Sequence, residues 1–230
     1  MKLFPTNFQK ILLHYLIFAF LENMKNLLLT FFLLAFLASR LCASDSATIK
    51  VWFLYGSRPK KEWKSVESKW FGGIHGGHVW ISTDSSGVKN FLPCGKFHIF
   101  PQKKIIQGCF DITPGALFDE FFSSSENASQ ILVIEIPVSL KQKNKVDSLY
   151  AEYVLHSPYD YAFFGIRCAS SACDILQKAS ILPNRNKTNT VIRNFYPKKL
   201  RKRLLKKAKK NEWNLIRISG SNRRIWEKDS

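Results

Sequence analysis

The spacing of apolar residues in this chain changes period once, and that change limits the folds open to it. Between residues 47 and 136 the apolar runs are short, alternating and rich in β-branched and aromatic residues, as strands of a half-buried sheet require. Ala47 to Tyr55, His78 to Thr83, Val88 to Leu92, Lys96 to Phe100 and Ile131 to Ile136 fit that description. From residue 141 the apolar positions recur every three or four residues instead. Val146, Leu149, Tyr150, Tyr153 and Val154 predict a helix over 141–156, stopped by Ser157-Pro158. Ala172, Ile175, Leu176 and Ala179 predict a second helix over 168–181. A basic helix over 197–213 and a terminal strand, Asn214 to Ile218, complete the chain. Strands first and helices afterwards predict an α+β fold, an antiparallel β-sheet with helices packed on one side.

Residues 1–43 stand apart from this pattern. They hold two apolar runs, Ile11 to Leu21 and Leu27 to Ala38, each shorter than the roughly 20 residues that cross a bilayer. Met24-Lys25-Asn26, the second run and the mostly small residues from Ser39 to Ser46 have the anatomy of a secretory signal, with Met24 as the expected start. A helical hairpin or anchor is the alternative. The expected organisation is therefore a signal or hydrophobic segment (1–43), a domain (44–196) and a basic extension packed on it (197–230). The expected location is periplasmic or extracellular, with membrane association open. Five cysteines are too few for a disulfide scaffold, but in an exported chain Cys94 and Cys109 read as one bridge.

The chain carries 35 Lys and Arg against 17 Asp and Glu, a net charge of +18. Residues 1–43 hold four bases and one acid, so +15 remains without them. Thirteen of the bases fall between Lys198 and Lys228, where Leu200, Leu204, Leu205 and Ala208 recur at helical spacing. Lys198, Lys199, Arg201, Lys202, Arg203, Lys206 and Lys207 are the candidate contacts to an anionic lipid or glycan. The bland alternative is a solvated helix that packs its leucines on the domain. No zinc finger or RNA-binding aromatic signature is visible, so no specific nucleic-acid partner is expected.

Chemistry is most legible in the run Asp160-Tyr161-Ala162-Phe163-Phe164-Gly165-Ile166-Arg167-Cys168-Ala169-Ser170-Ser171-Ala172. It brings Cys168 to the start of a helix, where unpaired N–H groups, the helix dipole and Arg167 favour a thiolate. The thiolate is the nucleophilic species. The competing reading makes Cys168 and Cys173 small buried apolar residues. A base for Cys168 has to come from earlier in the chain, because no histidine follows it. His78 opens a strand after Gly76-Gly77, and His98 lies in a second strand-like run; adjacent strands would let one act as base and the other as its orienter. His156 reads as a partner of a helix C-terminus. Cys94 or Cys109 with a later histidine would give the opposite order, but neither stands at a helix start. His75 is the residue considered for a metal; without a paired CxxC or HExxH no metal is expected, and no cofactor either.

Gly-Gly-His78-Val-Trp-Ile, a second histidine strand and the late Phe-Gly-x-Arg-Cys168-Ala helix start resemble the circularly permuted branch of the NlpC papain-like superfamily of cysteine hydrolases and acyltransferases. The resemblance covers roughly residues 47–182 and leaves the basic tail unexplained. It implies a permuted papain-like core with Cys168 as nucleophile, His78 as base and His98 as the third polar residue. It also implies hydrolysis or transfer at an amide or ester carried by an envelope peptide, glycan or lipid.

Overall fold

In the computed structural model the described residues are 20–22, 24, 25, 27, 28, 30, 46–66, 77–83, 87–114, 129–184, 194 and 196–229. The chain divides into two units, Met1–Ser44 and Asp45–Ser230. In the first, the described residues are helical, and among the described residues no helix is long and apolar enough to cross a membrane. Most of the signal-like segment, the glycines at 72, 73 and 76, His75 and the turn 84–86 lie outside the described residues.

The second unit begins with β1 (Ser46–Tyr55) and β2 (Ser57–Pro59), followed by β3 (Gly77–Ser82), β4 (Val88–Pro93), β5 (Gly108–Thr113) and β6 (Ile131–Ser139). Among the described residues three helices follow: α1 (Leu140–Leu155), α2 (Cys168–Lys178) and α3 (Pro197–Asn211). β7 (Asn214–Ile218) and β8 (Arg224–Trp226) end the chain. Six strands form one sheet in the order β5-β4-β3-β1-β6-β7, and β2 pairs with β8 in a second, two-stranded sheet. Among the described residues every pair of strands is antiparallel. The fold is α+β.

Alternation along the strands decides which face is covered. Ile49, Val51 and Phe53 of β1, Val79 and Ile81 of β3 and Leu132, Ile134 and Ile136 of β6 share one cluster with buried residues of all three helices. Leu54, Trp80, Val88, Ile131 and Val133 form a smaller cluster on the opposite face, without helical residues. The helices therefore lie on one side of the sheet, and a one-residue register slip would exchange the two faces. α1 starts on a capping box, with Gln142 N–H donating to Ser139 Oγ and the Gln142 side chain accepting from Ser139 N–H.

Two short strands, β2 and β8, and the whole of β5 were not anticipated from the pattern, whereas the predicted strand over 96–100 is absent. β4 and β5 pair directly from Val88↔Thr113 to Pro93↔Gly108, and the disulfide Cys94–Cys109 closes the far end of that ladder. Residues 95–107 are thus the connection of a hairpin and cannot form another strand of the same sheet.

The basic extension is integral to the unit. Arg201 is 0% exposed; its Nε donates to Asp229 Oδ1 at 2.8 Å, its NH2 to Glu227 Oε2 at 3.2 Å, and its guanidinium lies 3.8 Å from the centre of the Tyr55 ring. Tyr55 donates to Asp229 Oδ2 at 2.7 Å. Burial and that bond push the Tyr55 hydroxyl up from 10.0 to about 12.

Arg201→Ala takes the buried guanidinium from Glu227 and Asp229, leaving Asp229 with Tyr55 and Arg217, and is expected to cost about 3 kcal/mol, measured as a drop in the urea midpoint. The neutral Tyr55 is favoured in the fold, so its contribution is full below pH 10.0 and is lost as pH rises towards about 12. The melting temperature should fall across that interval, and Tyr55→Phe should shrink the fall.

Candidate active site

Cys168 is the first residue of α2. Arg167 before it is extended (φ −133°, ψ −178°); its N–H donates to Ser170 Oγ at 2.8 Å, and its carbonyl accepts from Ser171 N–H at 2.8 Å. Ala169, Ser170, Ser171 and Ala172 are all buried, so the small side chains of this turn let the helix start sit close against its surroundings. Arg167 is held on the outer side by the rings of Phe163 and Tyr196, with its guanidinium 5.5 and 5.4 Å from their centres.

His78 follows Gly77 at the start of β3. Gly77 has φ +91°, and a Cβ there would lie 2.4 Å from the Leu54 carbonyl oxygen; only glycine accepts both conditions. The His78 ring packs against Trp80 with 4.8 Å between centres. Among the described residues β3 meets β4 at one register pair, Ile81↔Lys89. The N–H of Val79 is therefore not taken up by β4, and it donates to Cys168.

These elements bring the two distant residues together. Burial pushes the Cys168 thiol up, but the His78 charge, a hydrogen bond with the His78 ring, the Val79 N–H and the Arg167 charge outweigh it. The net result is a thiol below its ordinary 9.0. Tyr161 reaches the same atoms: its side chain bonds Cys168, and burial together with the negative charge of Cys168 raises its hydroxyl. The Tyr150 hydroxyl is raised by burial and by that charge as well. The Nε2 of His78 is buried and has no hydrogen-bond partner among the described residues.

His98 stands elsewhere in the network. It lies in the β4–β5 connection, in an isolated bridge with Ala162, and its Nδ1 is 2.7 Å from Asp160 Oδ2. Asp160 is buried and also accepts from Gln102 N–H and Gln107 N–H, both at 2.8 Å. Burial raises the Asp160 carboxyl, but these donors and His98 bring it below its usual 3.8. The ring of His98 therefore engages a carboxylate, not the His78 ring; the expectation of a neighbouring histidine strand is corrected by the hairpin that turns residues 95–107 into a loop.

On α3, Lys199, Lys202 and Lys206 are exposed, while Lys198, Arg203 and Lys207 are half-buried. Arg201 falls on the buried face beside Pro197, Leu200, Leu204 and Ala208, so it is removed from any surface contact. Arg203 turns inward too, with NH1 3.6 Å from Cys173 Sγ. Three contributors to the site were missed as such in the sequence: Val79, Asp160 and the bonding role of Tyr161. A lone acid inside the aromatic run 159–164 was the available signal for Asp160; a backbone N–H leaves none. Among the described residues no group of three His, Cys, Asp or Glu side chains is gathered as a metal would need.

No family model, curated protein or solved structure matches this chain.

Alkylation of Cys168 by iodoacetamide should follow a pH midpoint below 9.0, because the imidazole supplies the largest lowering influence. His78→Ala should move that midpoint upward. Cys173, buried beside the Asn194 amide at 3.2 Å, should label more slowly at every pH. A midpoint indifferent to His78→Ala would break the coupling of the two side chains.

Proposed function

We propose that this protein is a thiol hydrolase, a peptidase or amidase of permuted papain-like type, acting on an amide or ester of the cell envelope. The observation that carries the reading is the hydrogen bond between the Cys168 thiol and the His78 ring at the start of α2, with the thiol lowered. The chain order, histidine strand before cysteine helix, accords with the permuted arrangement.

The chemistry runs through this pair. His78 takes the thiol proton, and the Cys168 sulfur attacks the substrate carbonyl carbon, whose π electrons pass to oxygen. Donors near the sulfur, the Val79 N–H and the first-turn N–H groups of α2, are suited to hold that oxyanion. Collapse re-forms the carbonyl and breaks the bond to the amine or alcohol, which leaves with the proton carried by His78. Water then attacks the thioester, giving its proton to His78; the acid departs and the thiol is restored. An acceptor other than water at this last step would make the protein an acyltransferase. The His98–Asp160 bond supports the segment that presents Tyr161, a positioning role. Export is supported by the signal-like segment and by the disulfide Cys94–Cys109, which persists in oxidising compartments.

Turnover of a p-nitrophenyl acyl ester tests this. Cys168→Ala should reduce it to background, and His78→Ala should lower it by about 10²–10⁴-fold, with circular dichroism unchanged in both. Mass spectrometry of the wild-type chain should show a transient acyl adduct on the peptide containing Cys168. Full turnover by Cys168→Ala would overturn the proposal.

A further inference from the structure

The loop 95–107 and the turn 163–165 together expose more apolar surface than a solvated loop requires. Ile99 and Phe100 are each 63% exposed and Phe164 is 55% exposed, with Phe97 and Ile105 also outside. They form one body. Phe163 N–H donates to His98 O and Phe164 N–H to Ile99 O, both at 2.8 Å, and the Phe100 and Phe164 rings stack 5.3 Å apart. A Cβ on Gly165 would come within 2.9 Å of Pro101 Cγ, so the two segments are in close contact. From below, Asp160 fixes the loop through Gln102, Gln107 and His98. The disulfide Cys94–Cys109 ties its base. Large apolar side chains held outward on a braced loop are costly in water and mark an interaction surface.

The charge around this tip selects its partner. Lys96, Lys103 and Lys104 are exposed on the same loop, and no Asp or Glu occurs from Leu92 to Phe110. Aromatic and branched apolar residues between exposed lysines match the boundary of a bilayer bearing anionic head groups, where rings enter the acyl edge and ammonium groups meet phosphate. The geometry points to residues 96–105 with Phe164 as a docking tip for an anionic phospholipid membrane. This surface differs from the lysines of α3 considered in the sequence. It also adjoins the thiol: Phe97 lies 5.8 Å from the Tyr161 ring, and Tyr161 bonds Cys168. A corollary, which rests on the thiol reading, is that the ester or amide is presented at the membrane surface.

Hydrogen exchange of the full-length chain carrying Cys168→Ala, with and without vesicles of equal phosphatidylglycerol and phosphatidylcholine, reads the tip locally and needs no catalysis. Peptides covering 96–106 and 161–166 should slow on adding these vesicles and change little with phosphatidylcholine alone. Ile99→Ser with Phe100→Ser and Phe164→Ser should abolish the protection. Each of Lys96→Gln, Lys103→Gln and Lys104→Gln should raise the lipid needed for half-protection roughly fivefold, whereas Lys199→Gln with Lys202→Gln should leave it unchanged. Protection confined to α3 or to residues 1–43 would overturn the proposal. So would protection of the tip that grows with protein concentration in the absence of lipid, the sign of a second copy on this surface.

Discussion

The site depends on how little β3 and β4 share. Among the described residues they meet at one pair, Ile81 with Lys89, and the adjoining part of β3 keeps a backbone donor that a longer ladder would have consumed. Val79 can then turn its N–H to a sulfur arriving from α2. The join itself is pinned by charge. Lys89 is buried, with its ammonium 2.8 Å from Thr83 Oγ1 and 3.2 Å from Asp147 Oδ1, and Asp147 also takes a bond from Lys143 at 2.9 Å. A buried ammonium without such partners would be strongly unfavourable. The strands therefore stay together at this point without closing along their length.

Two further clamps give the pair its setting. Asp160 gathers three donors from the β4–β5 loop, so the segment leading to Cys168 is registered against the tip of the hairpin. On the opposite flank, Arg201 draws the C-terminal residues Glu227 and Asp229 against Tyr55 on β1. Both clamps pair buried charges with groups of opposite charge, and both tie segments far apart in sequence. Between α1 and α2, Tyr153, Tyr159, Asp174 and Lys178 make a comparable knot, with Lys178 Nζ 2.7 Å from Tyr153 Oη and 3.0 Å from Asp174 Oδ2.

Much of the scaffold was legible because period follows burial. β1, β3, β4, β6 and the three helices lie within a few residues of where alternation or helical spacing put them. β5 was not legible: Gly108-Cys109-Phe110-Asp111-Ile112-Thr113 carries only two large apolar residues, and its strand character comes from pairing with β4. The run Lys96 to Phe100 misled for the converse reason. Its alternation is real, but the apolar side chains face outward on a loop, since the hairpin had already used both strands. Arg201 misled because a cation in a basic helix reads as solvated, while its position on the leucine face puts it inside.

What the sequence determined alone was local: the order of strands and helices, the helix start that carries Cys168, the disulfide candidates and the glycine that His78 follows. These depend on neighbours within a few residues, and their physics is carried by backbone conformation and side-chain period. Only the tertiary structure decided which histidine meets the sulfur, which one is taken by Asp160, and which cations reach the surface. Those outcomes turn on sheet order, on one short ladder and on which face of a helix is covered, and all three are contacts between residues that sequence spacing does not bring together.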